Sequence, residues 1–247
     1  MSFAWSWRKV REGLARREKL LAVVLVGFVL PWAGFVVLAQ KVWTEGGFVQ
    51  DKTVLRFLYR NASPGQDKLA LALTKIGDSG PMIVLGALIA GGLLLRRQRT
   101  QAVVFAASVG GSMLLTQVLK ASFARPRPDL WVSIKPALTY SFPSGHAMDT
   151  AAIAVAVAFL LWQFRGHWAL WALGPLFALG VGWSRMYLGV HYPSDVLGGW
   201  LSATGWVTGV QLLTARATGL FSEPPENDIS PAHFSESMSS ADANQPA

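Results

Sequence analysis

The chain has 247 residues, of which 52% are hydrophobic and only 15% charged, against roughly 25% charged in soluble domains. So much apolar residue with so few charges to cover a surface excludes an ordinary soluble domain, a solenoid, a coiled coil and a disordered chain, and it points to a membrane. The absence of cysteine excludes disulfide frameworks, thiolate nucleophiles, cysteine-held zinc and iron–sulfur clusters, and the net charge of +8 fits loops facing anionic lipid or phosphate better than it fits nucleic acid.

In chain order, residues 1 to 19 combine Arg8, Lys9, Arg11, Arg16, Arg17 and Lys19 with Trp5 and Trp7. They read either as a basic amphipathic helix on the inner membrane surface or as a basic tail. Crossing a bilayer core of about 30 Å takes roughly 20 helical residues, somewhat fewer in short spans. Six stretches qualify: Leu20 to Ala39, Ser79 to Leu95, Gln101 to Leu119, Ala147 to Phe164, Trp168 to Ser184 and Val196 to Ala215. The first starts too late and runs too long without a small-residue cleavage site to be a removable signal peptide. The outer loop, Gln40 to Asp78, intersperses Val54, Leu55, Phe57, Leu58, Leu69, Leu71 and Leu73 with charges, which predicts one or two short interfacial helices. Residues 222 to 247 are rich in Ser, Pro, Ala and acids, contain no Lys or Arg, and read as a disordered tail.

The expected fold is therefore all-α and polytopic, with six transmembrane helices forming a single domain over residues 20–215 and an interfacial helical loop after the first span. Short cytoplasmic loops retain positive charge. The basic N-terminal segment, Arg96, Arg97 and Arg99 after the second span and Arg165 after the fourth all fall on one side, which makes both termini cytoplasmic. The compact size and tight inner turns suggest a bacterial plasma membrane.

That orientation leaves basic residues on the outside too, in three clusters that share one face. The first is Lys120-Ala-Ser-Phe-Ala-Arg125-Pro-Arg127-Pro128, after the third span. The second is Ser141-Phe-Pro143-Ser144-Gly145-His146, before the fourth, and the third runs from Ser184-Arg185 through His191 to Asp195, between the fifth and sixth. Lys120, Arg127 and Arg185 supply positive charge, and the guanidinium fork matches phosphate oxygens. Ser144 and Gly145 sit where a helix begins, so free amides and the helix dipole favour an anion in the same place. A pair of histidines suits phosphoryl transfer: one neutral imidazole attacks phosphorus while the other, protonated, donates to the leaving oxygen. His191 has Asp195 four residues on, within reach of Nδ1–H, so His191 is the expected nucleophile and His146 the expected general acid. The lysine and arginine charges do what a metal would otherwise do, so this scheme requires no cofactor and no metal. Arg125 reads by default as a snorkelling or head-group contact. Asp149 either supports the site from one turn below His146 or lies shallow enough to stay wet. Gly110, Gly111, Gly198 and Gly199 are expected at close helix contacts.

The motifs K-x6-R-P, P-S-G-H and S-R-x5-H-x3-D, met here at Lys120 to Pro128, Pro143 to His146 and Ser184 to Asp195 without departure, closely resemble the signature of the type 2 phosphatidic acid phosphatase superfamily. These are integral-membrane lipid phosphatases similar to vanadium-dependent haloperoxidases. The resemblance implies a phosphohistidine intermediate on His191 oriented by Asp195, leaving-group protonation by His146, and phosphate binding by Lys120, Arg127, Ser144, Gly145 and Arg185. The expected activity is removal of the terminal phosphate of a lipid phosphate or diphosphate at the extracytoplasmic surface, with undecaprenyl diphosphate, phosphatidic acid and phosphatidylglycerol phosphate all fitting. The expected partners are that substrate and membrane lipids, without nucleic acid, and oligomeric state is not legible. A phosphotransferase of the same superfamily would use the same residues. An anion or lipid transporter would explain the cations but gives no reason for the histidines and their aspartate.

Overall fold

The computed structural model describes residues 17–162, 168–218 and 220. The expectations for residues 1–16, Arg165 and the tail from 222 lie outside the described residues. Every regular element described is a helix: α1 (Arg17–Glu45, loosened to a π-helix over Val23–Val29), α2 (Val49–Arg60), α3 (Pro64–Ile76), α4 (Ser79–Leu95), α5 (Arg99–Phe123), α6 (Gly145–Leu161), α7 (Trp168–Tyr187), α8 (Pro193–Leu213) and the short α9 (Ala215–Thr218).

The boundaries follow local chemistry. Ser63 caps α3, its Oγ accepting from Gln66 N–H, and Pro64 opens it; Asp78 caps α4 through Ser79 N–H; Pro193 opens α8. These are residues whose side chains or fixed φ satisfy a helix start. Helix α1 runs six residues beyond the expected Ala39 and stops at Gly46, in the left-handed conformation that glycine adopts without penalty. The outer loop forms two helices, α2 and α3, and α3 meets α4 at a 49° bend across Gly77 and Asp78. Ala70 of α3 packs against Tyr187, Leu188 and Val190, tying the loop to the end of α7.

By length and apolarity alone, α1 and α5 suffice to cross a bilayer, and the bent α3–α4 pair makes a third candidate. Helix α8 is long, yet buries Ser194, Asp195, Ser202, Thr208 and Gln211. Polar residues there face other helices, which is why its hydropathy understates its burial. At the centre stands α6, packed against α4, α5, α7 and α8. Its Ala147, Ala151, Ala152 and Ala156 let the neighbours approach closely, and Met148, Phe105 and Val207 fill the remaining space.

Three of the four expected packing glycines sit at such contacts. A β-carbon at Gly111 would meet the Trp206 ring at 2.4 Å, one at Gly198 the Phe142 ring at 2.6 Å, and one at Gly199 the carbonyl of Ser144 at 2.8 Å and Ala147 Cβ at 3.1 Å. Gly110 faces open space and has no such role. An apolar groove of about 390 Å³ lies between α4, α6 and α7, lined by Met82, Leu85, Thr150, Val157, Leu173 and Phe177. It begins one helical turn below Asp78 and His146.

Because the backbone of Ser144 touches Gly199, Gly199→Leu should cost about 1–3 kcal/mol through overpacking and also displace the start of α6. Thermal unfolding in detergent and phosphate release should therefore fall together, whereas Gly110→Leu should leave both near wild type.

Candidate active site

The three clusters converge at one end of the helix bundle. Lys120, in the last turn of α5, is buried and donates to Tyr140 O at 2.7 Å and to Thr139 Oγ1 at 3.3 Å. Its Cε lies 3.7 Å from the β-position of Gly145, which brings the first cluster onto the second. Past α5 the chain turns through Ala124, in left-handed conformation, and runs back over the site. Arg127 is fixed along its whole head: Nε donates to Thr139 O, Nη1 to Val190 O at 2.7 Å and Nη2 to Thr139 Oγ1 at 3.0 Å. Ser144 caps α6, and its N–H donates to Asp195 O at 2.9 Å, joining the second cluster to the third. Arg185, near the end of α7, is buried against Thr74 Oγ1 of α3, and its carbonyl accepts from the N–H groups of Val190 at 3.2 Å and His191 at 3.3 Å.

His191 is 1% exposed, with Nε2 3.1 Å from Arg127 Nη1. Arginine can only donate, so this contact requires a lone pair on Nε2 and places the ring proton on Nδ1. That nitrogen faces Asp195 Oδ2 at 3.5 Å, too long for a hydrogen bond. The expected bond between them is therefore not made, because the carboxylate is already engaged. Its Oδ1 accepts from Arg125 Nη1, and its Oδ2 from Ser141 Oγ and from Tyr192 N–H at 2.8 Å. Nδ1 of His191 nevertheless faces Asp195.

His146 stands in the first turn of α6 with Nε2 3.6 Å from Asp78 Oδ1. This partner is not legible in the sequence and comes from the bend between α3 and α4. Asp149 is buried and accepts from Ser79 Oγ at 2.7 Å, so it is not a wet shallow carboxylate. The largest correction concerns Arg125. It is not a head-group contact but a buried side chain, 4% exposed, paired with both Asp195 and Asp51. Arg125, Asp51, Asp78 and Ser141 escaped the sequence because each acts across the fold. The local signals were the first arginine of the Arg125-Pro126-Arg127-Pro128 run and the serine that opens the second cluster.

Burial above all, and then the positive charges of Arg127, Arg185 and Lys120 with His146, hold the pKa of His191 well below its ordinary value. The imidazole is therefore neutral at physiological pH, with a lone pair turned toward the guanidinium-lined space.

The family model of the PAP2 superfamily matches residues 101–218, which contain all three clusters. Two curated relatives align over much of the chain. One is phosphatidylglycerophosphatase B of Bacillus subtilis, 28% identical over 170 residues, covering 67% of this chain and 83% of that protein. The other is undecaprenyl-diphosphatase of Sulfolobus acidocaldarius, 33% identical over 147 residues, covering 57% of this chain and 66% of that one. The chain belongs to the PAP2 superfamily. It is a phosphatase, and its apolar helices make it a membrane protein. The fold agrees: the crystal structure of a transmembrane PAP2 type phosphatidylglycerolphosphate phosphatase from Bacillus subtilis superposes with a TM-score of 0.68 at 27% identity, over 76% of this chain and 96% of that one.

The depressed pKa of His191 in this PAP2 phosphatase has a thermodynamic counterpart. An unfolded histidine binds a proton below about pH 6.5, whereas the folded chain resists that proton. Stability should therefore fall as pH drops below that value. The thermal midpoint in detergent should decline more steeply between pH 6.5 and 5 in the wild type than in His191→Gln, and parallel declines would refute the buried neutral imidazole.

Proposed function

We propose that this PAP2 phosphatase hydrolyses the terminal phosphate of a lipid phosphate or diphosphate through a phosphohistidine on His191. The observation that carries the reading is the 3.1 Å approach of Arg127 Nη1 to His191 Nε2. A phosphate-binding fork and a nucleophilic lone pair meet at one point, which a phosphoryl group would occupy by displacing the contact between them. Lys120, Arg185 and the α6 amides at Ser144 and Gly145 would hold its equatorial oxygens.

His191 Nε2 forms a bond to phosphorus as the bond from phosphorus to the lipid oxygen breaks, and His146 gives its proton to the departing oxygen. Burial and the charge of Arg185 lower the pKa of His146, and Asp78, joined by the substrate's phosphate dianion, opposes them in favour of the imidazolium form. Water, deprotonated by His146, then attacks phosphorus and releases inorganic phosphate, which restores both histidines. Asp195 faces the Nδ1–H of His191 and stabilises the cation formed as Nε2 becomes substituted. Charge stabilisation by Lys120, Arg127 and Arg185 makes the scheme metal-independent.

The membrane setting extends the reading. Six spans, with both termini cytoplasmic and the site at the extracytoplasmic surface of a plasma membrane, fit the placement of basic residues and the convergence of all three clusters at one end of the bundle. The apolar groove that starts one turn below His146, on the leaving-group side, suits a hydrocarbon chain. Undecaprenyl diphosphate, phosphatidic acid and phosphatidylglycerol phosphate are the substrates to test. Residues 20–215 act as the catalytic unit, with the N-terminal segment and the acidic tail as cytoplasmic appendages.

Purified protein in detergent should release phosphate from at least one of these lipids, with activity retained in EDTA. His191→Ala should abolish turnover while leaving the unfolding transition intact. Arg185→Lys should lower kcat/KM by about 10- to 100-fold, since a point charge does not reproduce the guanidinium fork. A fully active His191→Ala protein would overturn the nucleophile, and a strict requirement for magnesium would overturn the metal-free scheme.

A further inference from the structure

We infer that Arg125, anchored by Asp51, is a positioning residue for the His191–Asp195 pair: it occupies one oxygen of Asp195 and leaves the other turned to Nδ1 of His191. The inference rests on the reading of His191 as nucleophile and adds two residues that lie outside the three motifs' matched positions.

The guanidinium has no freedom to serve a lipid head group. Nη1 donates to Asp195 Oδ1 and to Ser194 Oγ at 2.8 Å, while Nη2 donates to Asp51 Oδ2 at 3.0 Å and to Gly46 O at 2.7 Å. Its carbon lies 4.2 Å from the centre of the Tyr192 ring. Gly47 closes over it in a left-handed conformation, φ +128°, where an added β-carbon would collide with Nη2. Asp51, in the first turn of α2, also accepts from Ser194 N–H at 3.0 Å and from Ser194 Oγ at 2.6 Å. The start of the outer helix is thereby bonded to the residue immediately before Asp195. All three charged side chains are at most 4% exposed.

The arrangement has an electrostatic purpose that packing does not require. Facing His191 are Lys120 from α5, Arg127 from the following loop, His146 from α6, Arg185 from α7 and Asp195 from α8. Among the described residues Asp195 is the carboxylate that faces His191, while Asp78 faces His146. A buried carboxylate beside an imidazole can draw a proton onto the pair and silence the nucleophile. Burial pushes the pKa of Asp195 up, and Arg125 on Oδ1, with Ser141 and the Tyr192 amide on Oδ2, draws it back toward the ionised form in which it can face Nδ1–H of His191. Asp51 counters the charge of Arg125 and sets how strongly Arg125 draws on Asp195.

Two consequences of opposite sign follow. Without Arg125 the imidazole–carboxylate pair takes up a proton at higher pH, whichever member carries it. With Asp51 neutralised, Arg125 draws harder on Asp195 and the pair takes up its proton at lower pH. A purely structural role would lower activity or stability in both variants and move neither titration.

The experiment is the pH dependence of kcat at saturating lipid phosphate for wild type, Arg125→Ala, Arg125→Lys and Asp51→Asn, with unfolding transitions recorded beside it and His191→Ala as reference. In Arg125→Ala, kcat should fall about a hundred-fold and the acid limb should move up by about one pH unit. Arg125→Lys keeps the charge and should recover the wild-type limb with only part of kcat, because one ammonium does not span both carboxylates. In Asp51→Asn the limb should move to lower pH. Limbs coincident with wild type in the folded variants, or shifts of the same sign in Arg125→Ala and Asp51→Asn, overturn the inference. Should Arg125→Ala fail to fold, the lysine and asparagine variants still decide it. Turnover by His191→Ala would overturn the underlying nucleophile assignment instead, and the two failures are thus separable.

Discussion

Burying an ionised carboxylate costs several kcal/mol unless charge and hydrogen bonds offset it, and Asp195 is fully buried. The groups that offset it come from far apart in the chain: the guanidinium of Arg125 after α5, the hydroxyl of Ser141 before α6, and the amide of Tyr192 ahead of α8. Even its own carbonyl is used, accepting from Ser144 N–H. Once Asp195 is satisfied in this way, the ends of α5, α6 and α8 are locked together, and the groups proposed to bind phosphate at those ends acquire fixed positions. Meeting the desolvation cost of one carboxylate thus also assembles the site.

The cations around His191 repel one another, yet they do not splay into solvent. Lys120 and Arg127 are held by the carbonyls of Thr139, Tyr140 and Val190, whose partial negative charge is fixed by the backbone. The result is a preorganised positive field with a neutral imidazole inside it. In the proposed reaction a phosphate dianion entering that field would relieve the repulsion, and further charge developing in the transition state would meet donors that need not reorient. Binding and chemistry draw on the same geometry.

The bilayer imposes a second constraint, that the helices bury polar side chains against each other. In α8 the buried Ser202, Thr208 and Gln211 sit among Gly198, Gly199, Ala203 and Gly205, and Trp32 of α1 lies over Gly205 at a distance no β-carbon would allow. Small residues permit the close approach, and hydroxyls return their hydrogen bonds to carbonyls one turn back, as Ser202 does to Gly198. This keeps α6 and α8 in a fixed register, on which the alignment of His146 with His191 depends.

Much of this was written in the chain itself. The helical fold, the bounds of α4 and the three clusters that converge at one end of the bundle could be read directly, because apolar runs and motif spacing are local properties. Helix α1 overran its expected end because the polar residues of its last turn do not break a helix; only Gly46 does. Arg125, Asp51 and Asp78 were out of reach for a different reason. A charged side chain at the end of an apolar stretch looks the same whether it points to lipid or into the protein, and the choice is made by partners many residues away. Asp78 meets His146 only because the chain bends by 49° between α3 and α4. Sequence fixes which groups are available to a site; folding decides which of them are desolvated together, and desolvation gives their charges enough strength to matter.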